Sequence, residues 1–370
     1  MYLGCKTLIK TGILPNALFP VTSFIYLERN LESVFMHVLC RVEIPDESEY
    51  LRSSTGREEI MLNKLQEIRE EIAKVIIGKE NVTDKILMAV LAKGHILLED
   101  VPGVGKTTTA LCFSKILGLD FRRIQFTPDV VPSDVTGFTM YDREKDTFVY
   151  RPGAVMCNLL LADEINRTSS KTQSALLEVM EEGHVTVDGK TYPVPQPFTV
   201  FATQNPIGTT GTQLLPESQL DRFMVKLSMG YPDRESQVEL LRDRQKENPL
   251  DKIRAVLGPD DVNALQEEVK NVYMSDPVLG YITDLTEKTR NHEMILLGIS
   301  PRGALAMSRM ARACAYLKGR DYVVPEDVQD IFYDVCAHRL LLSPKARLNS
   351  KKCQDVLGEI LKETVPPKVA

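Results

Sequence analysis

The stretch Glu99-Asp-Val-Pro-Gly-Val-Gly-Lys-Thr107 constrains this 370-residue chain more than any other. An apolar run, Ile96-Leu97-Leu98, precedes it and reads as a buried parallel strand. Thr108 to Gly118 follows and reads as an amphipathic helix. Strand, glycine-bearing turn and helix together form the context of a phosphate-cradling loop, in which backbone N–H groups and a helix N-terminus face an anion. In that reading Lys106 reaches the β- and γ-phosphates, and the Thr107 hydroxyl ligates Mg²⁺. Asp100 stands where the strict pattern G-x-x-x-x-G-K-[ST] has its first glycine. A short polar residue tolerates such a turn better than most.

A second anchor is Asn158-Leu-Leu-Leu-Ala-Asp163-Glu164, an apolar run that ends in two acids. It reads as a buried strand whose carboxyl end meets the phosphate site, as ligands do in open α/β sheets. Asp163 then holds the Mg²⁺ shell and Glu164 polarises an attacking water. Phe198 to Thr203 is another strand, and it ends in Gln204-Asn205-Pro206, where an amide can bond the water or the γ-phosphate. Each signal also has a plainer reading when taken alone. The acids can sit in a solvated turn, Asn-Pro can be a turn, Arg222 can be a surface ion-pair former, and Arg302 can simply open a helix.

Elsewhere the chain reads as ordinary soluble protein, with 43% hydrophobic and 26% charged residues. A net charge of −6 supplies no overall electrostatic footprint for nucleic acid, and none is expected as a partner. Seven dispersed cysteines without a C-x-x-C pair suggest reduced thiols and argue against a disulfide framework or a zinc site. Residues 11–27 are uncharged and follow Lys6 and Lys10, as in a signal peptide, but Pro15 and Pro20 interrupt them and no small-residue cleavage site is evident. The expectation is a poorly ordered extension over 1–57 without stable membrane insertion; a start at Met61 is a further reading. Residues 58–230 then form a nucleotide-binding α/β domain, and 231–365 a helical one. Residues 137–153 and 184–194 read as two hairpins, the second turning at Asp188-Gly189. His184 in that hairpin is read as structural. The Ile76-Ile77-Gly78 turn either packs a core or lies against an adenine ring. Ile165 to Glu182 is expected as one helix. Further helices are expected over 232–248, 259–274, 276–291, 301–319 and 325–339, with Pro301, Pro325 and Pro344 at starts or connections.

Residues 60–365 resemble the MoxR family of AAA+ ATPases. The likeness lies in Val75-Ile-Ile-Gly-Lys79, Leu98 to Thr107, Ile124-Gln-Phe-Thr-Pro-Asp129 and Leu161-Ala-Asp-Glu-Ile-Asn-Arg167. It extends to Lys171 to Glu178, Ala202 to Pro206, Gln219 to Phe223, Ser300-Pro-Arg302 and Gly319 to Val328. The resemblance implies a P-loop parallel sheet flanked by helices, followed by an all-α lid. It also implies ATP and Mg²⁺ as cofactors. Pro102, Gly103, Val104, Gly105, Lys106, Thr107 and Thr108 correspond to Walker A, and Asp163 and Glu164 to Walker B. Ile77 and Gly78 lie at the nucleotide, Asn205 resembles sensor 1, and Arg302 resembles the sensor-2 arginine. Arg222 resembles the finger offered by a neighbouring subunit, and the hairpins resemble the helix-2 insert and the pre-sensor-1 hairpin. The family also implies a cytoplasmic ring homo-oligomer, usually a hexamer. Such rings act as chaperones on partners with von Willebrand factor A domains, often in metal insertion. The other readings kept open are a DNA-translocating motor and a nucleotide-gated scaffold with little hydrolysis.

Overall fold

The computed structural model describes residues 63–205, 215–243 and 248–368. All of them belong to one compact unit, Ile60–Ala370. The expected extension over 1–57 lies outside the described residues.

Five parallel strands form the centre, in the order β2-β5-β8-β1-β9. They are β1 (Ile96–Glu99), β2 (Phe121–Gln125), β5 (Leu159–Asp163), β8 (Thr199–Gln204) and β9 (Val225–Leu227). The apolar runs follow from this burial. Side chains alternate across a strand, and both faces of this sheet are covered, so neither face calls for polar residues. Ile96, Leu98, Leu159, Leu161 and Phe201 enter one core. Leu97, Leu160, Ala162, Val200 and Ala202 enter the other. The first core continues into the C-terminal helices through Leu265, Ile282, Met310, Ile331 and Leu357. One uninterrupted apolar interior therefore joins the helical part to one face of the sheet.

Serine side chains cap some of the helix starts, those at Ser170, Pro301 and Pro344. Helix α1 covers residues 63–73, α2 covers Glu80–Leu91, and α3 covers Lys106–Ile116. The short α4 (Pro132–Thr136) leads into the first hairpin. That hairpin pairs β3 (Gly137–Asp142) with β4 (Thr147–Pro152), and the second pairs β6 (His184–Val187) with β7 (Lys190–Pro193). His184 bonds the Glu182 carbonyl, 2.9 Å away. The expected helix over 165–182 is broken. A single 3-10 turn, Ile165–Arg167, precedes α5 (Ser170–Glu182), because the Ser169 side chain accepts from the Thr172 amide and caps a new start. The interruption lets Asn166 turn inward beneath the site.

After the one-turn helix α6 (Glu217–Leu220) come α7 (Arg234–Asp243), α8 (Pro259–Asn271), α9 (Asp276–Asn291), α10 (Pro301–Leu317) and α11 (Pro325–Cys336). Pro301, Pro325 and Pro344 open their helices, as the punctuation predicts. Helices α12 (Pro344–Leu348) and α13 (Cys353–Glu363) lack a counterpart in the sequence reading. The same is true of a small antiparallel pair, β10 (Ile295–Leu297) with β11 (Leu341–Leu342), which sits among the helices. Its strands are too short to show a period. The five described cysteines are free thiols. Among the described residues no helix is long and apolar enough to cross a membrane.

His95, just before β1, ties the sheet to α5. Its Nδ1 accepts from the Val200 amide at 3.0 Å, so Nε2 carries the proton and donates to the Met180 carbonyl at 2.9 Å. Burial pushes the imidazole down from 6.5 to about 4, and a second proton on Nδ1 would oppose the Val200 N–H. Between those values the unfolded chain binds a proton that the folded chain refuses, so stability falls as pH drops from 6.5 towards 4. The expected loss is about 3 kcal/mol. Urea titrations at neutral and acid pH should show a smaller drop for His95→Gln, and an identical drop would remove His95 from the account.

Candidate nucleotide site and a second cluster

The turn between β1 and α3 joins a strand end to a helix N-terminus. Gly103 and Gly105 adopt φ of +88° and +95°, and a Cβ on either would meet nothing within 4 Å. They are there for backbone shape and open approach, since packing does not require them. Lys106 is 8% exposed, and its Nζ donates to the Asp100 carbonyl at 2.7 Å. Burial pushes its ammonium down in pKa, while the carboxylates of Asp100, Asp163, Glu164 and Glu99 hold it up.

Strand β8 lies between β1 and β5, with Glu99 opposite Gln204 and Ala162 opposite Ala202. Parallel pairing brings the carboxyl ends of all three strands to one edge, which places Asp163, Glu164 and Asn205 beside the Lys106 turn. The Thr203 hydroxyl donates to Asp163 Oδ1 at 2.6 Å and accepts from the Glu164 amide at 2.8 Å. Arg123 donates to Asp163 Oδ2 at 2.7 Å. Glu164 itself has φ +56°, a left-handed conformation that costs a non-glycine residue on the order of 1–3 kcal/mol. Its carboxylate accepts from Arg167 Nη1 at 2.8 Å and from Asn205 Nδ2 at 3.0 Å. The Arg167 bond first, then those from Asn205 and Gln125, hold the Glu164 carboxyl below its ordinary range against burial. Asn166 brackets Asn205 by donating to its carbonyl at 3.2 Å and accepting from its amide at 3.4 Å. A carboxylate that is ionised, aimed and bonded to an amide can orient and polarise a water.

Asp100 explains its departure from the glycine pattern. Its carboxylate accepts from Ser228 Oγ at 2.7 Å, the Met229 amide at 2.6 Å and the Gly230 amide at 3.1 Å. A glycine there would leave those donors without this partner. An unsatisfied buried N–H costs about 1–3 kcal/mol. At the far side of the same linker, Lys79 Nζ donates to the Tyr231 carbonyl at 2.9 Å. Gly78, at φ +68°, has Ser236 where a Cβ would stand. Ile77 is half-buried beside it.

The two arginines of the sequence reading lie elsewhere. Arg222 and Arg302 both pair with Glu181, the former at 3.3 Å. With Lys93, Asp221, Arg309 and Arg339 they line a cleft of about 380 Å³. Gly94, His95 and Met224 also border it, and these residues precede β1 and β9. The cleft is therefore at the amino edge of the sheet, and Lys106 is at the carboxyl edge. Asp221 directly precedes Arg222 and is tied to the start of the Arg302 helix. It accepts from Ser300, the residue before the Arg302 helix, at 2.9 Å and from Arg339 Nε at 2.8 Å. Arg339 also donates to the Phe223 and Met224 carbonyls at 2.6 and 3.1 Å.

Comparison with known proteins gives the family. Residues 95–225 match the model of the ATPase family associated with various cellular activities (AAA), and residues 287–360 match that of the AAA lid domain. The uncharacterized protein YeaC of Bacillus subtilis is 48% identical over 80% of this chain and 93% of its own length. The chaperone MoxR1 of Mycobacterium tuberculosis is 39% identical over 81% of each chain. This chain belongs to the MoxR family of AAA+ ATPases. The crystal structure of an ATPase candidate from Cytophaga hutchinsonii superposes with a TM-score of 0.80, at 38% identity, over 86% of this chain and 99% of that one. As a MoxR-type AAA+ ATPase the protein is an ATP hydrolase with a lid of the family type.

Several polar residues of the two clusters escape a reading of the sequence: Arg123, Gln125, Thr203, Arg167, Glu181 and Asp221. Arg123 and Gln125 reach Asp163 and Glu164 only because β2 pairs with β5, Gln125 opposite Asp163. The Asn166-Arg167 pair, directly after the two acids, and Asp221, directly before Arg222, carry a local signal. The Arg339–Asp221 pair is the most deeply placed, with the Arg339 side chain 2% exposed. Removing one partner of a buried pair costs about 3–5 kcal/mol. Arg339→Met should lower stability to denaturant by that amount, with unfolding followed by circular dichroism; a change under 1 kcal/mol would show that the pair carries little.

Proposed function

We propose that this ATPase works as a ring homo-oligomer, a hexamer, in which each triphosphate pocket is built by two chains. One chain supplies Gly103, Gly105, Lys106, Thr107, Asp163, Glu164 and Asn205. Its neighbour supplies Arg222 and Arg302. The observation that carries this reading is the position of those two arginines, paired with one glutamate at the sheet edge opposite Lys106. The four residues of β1 alone span about 13 Å, so neither guanidinium reaches its own phosphate loop.

The chemistry follows from the residues. The amides of the 102–108 turn and the start of α3 face the phosphates. Lys106 exchanges the Asp100 carbonyl for a phosphate oxygen. Glu164, kept ionised by Arg167 and Asn205, orients the attacking water, and Asn205 bonds it from the second side. The neighbour's arginines stabilise charge spread over the γ-phosphate, an effect worth on the order of 10³–10⁵ in rate. Four carboxylates already surround Lys106, so a polyanion fits there only with a hard cation. The Thr107 hydroxyl and Asp163 offer the oxygen donors that Mg²⁺ prefers. Mg²⁺ neutralises developing phosphate charge when bound. The half-buried Ile77 and the Gly78 turn are assigned to the adenine side.

The client is proposed to be a protein with a von Willebrand factor A domain, acted on in the cytoplasm, in some cases for metal insertion. The β3–β4 hairpin supports a protein client, with Phe138, Met140 and Phe148 exposed and Phe148 at 70%. Lys106→Ala should abolish binding of a fluorescent ATP analogue, while Glu164→Gln should bind it and not turn over. Arg222→Ala should leave binding within about threefold and lower kcat by on the order of 10³. Mixing Arg222→Ala with Glu164→Gln should restore part of the hydrolysis, because some interfaces then hold one intact pocket. A per-chain rate that stays constant on dilution to a monomer would overturn the shared-pocket reading.

A further inference from the structure

We propose that Asp100 is a positioning residue that couples the phosphate-binding lysine to the linker entering the helical part of the chain. The inference rests on the reading that Lys106 binds the ATP phosphates. Asp100 faces both ways. Its carbonyl accepts from Lys106 Nζ at 2.7 Å, and its carboxylate takes three donors of the Ser228–Gly230 turn. Successive backbone amides converging on one point form an anion-binding concavity, and those of Met229 and Gly230 do so here. The anion that fills this concavity belongs to the chain itself. It sits at the position where the strict phosphate-loop pattern has a glycine, which has no side chain for the purpose.

The same linker is held at its other end by the opposite side of the site. Lys79 Nζ bonds the Tyr231 carbonyl, and Ser236 packs on Gly78. Residues 228–236 thus run from the phosphate turn to the Ile77–Lys79 segment, and α7 begins within them. When Lys106 turns to a phosphate oxygen, the Asp100 carbonyl loses its ammonium donor while the carboxylate keeps its grip on Met229 and Gly230. The turn then shifts with the linker attached, and α7 follows. A glycine-type loop would bind the nucleotide equally well and transmit nothing along this path.

Amide hydrogen exchange across residues 228–236 tests the assignment, with and without ATP, in the non-hydrolysing Glu164→Gln chain. The parent should show an ATP-dependent change in exchange. Asp100→Gly and Asp100→Asn should lose that change while binding a fluorescent ATP analogue within about threefold of the parent. With Glu164 intact, either substitution should lower kcat at least roughly tenfold and leave KM within about threefold. A role in fold stability alone would not abolish the ATP dependence at unchanged affinity. Asp100→Asn keeps the side-chain shape, so it decides if Asp100→Gly does not fold. ATP-dependent exchange and kcat both retained in Asp100→Asn would overturn the proposal. Lys106→Ala separates the two ideas: if it binds ATP with parental affinity, the phosphate-site reading itself fails, whatever Asp100 does.

Discussion

The insertion of β8 between β1 and β5 fixes both the cores and the acidic cluster. Backbone hydrogen bonding in register brings three strand ends together, and with them Asp100, Asp163, Glu164 and Asn205. Thr203, at the penultimate position of β8, then bonds the carboxylate of Asp163, the last residue of β5, and the amide of Glu164 just beyond it. A shift of one residue in that register would turn Val200 and Ala202 toward the wrong core and carry Thr203 away from Asp163. The apolar alternation that fills two cores therefore also sets the geometry of the acids. Packing and chemistry share one specification.

The same sheet separates the two halves of the proposed chemistry. Parallel strands have a carboxyl edge and an amino edge, and no side chain spans both. Lys106 and the acids occupy the first, and Arg222 and Arg302 the second. The helical part is what holds the second edge in shape. Arg339, between α11 and β11, reaches back to Asp221 and the Phe223 and Met224 carbonyls, and His338 bonds the Phe223 carbonyl at 3.0 Å. Asp221 in turn holds Ser300, one residue before Pro301 opens α10. Arg222 and Arg302 are far apart in sequence, yet one carboxylate fixes both of their attachment points.

Much of this was legible beforehand, and the reasons are local. A phosphate turn is defined by consecutive residues, so Gly103, Gly105 and Lys106 can be found without knowing what lies opposite them. Apolar runs reveal central strands because burial on both faces leaves no other composition. Prolines at helix starts are equally local, which is why Pro301, Pro325 and Pro344 were informative. The split of the 165–182 segment was hidden, because Asn166 leaves the helical path for a bond with Asn205 that exists only in the folded sheet. By local pattern Asp100 is a tolerated substitution; only the fold puts Ser228, Met229 and Gly230 around its carboxylate.

Local pattern is enough for the chemical types, the order of the strands along the chain and the turn assigned to phosphate, since each follows from neighbouring residues and backbone preference. Only the tertiary structure decided which strand lies beside which, that Arg123 faces Asp163, and that Arg222 shares Glu181 with Arg302. Those contacts join residues separated by long stretches of chain. They form because two buried cores close around one sheet, and no local pattern encodes where that closure brings a side chain.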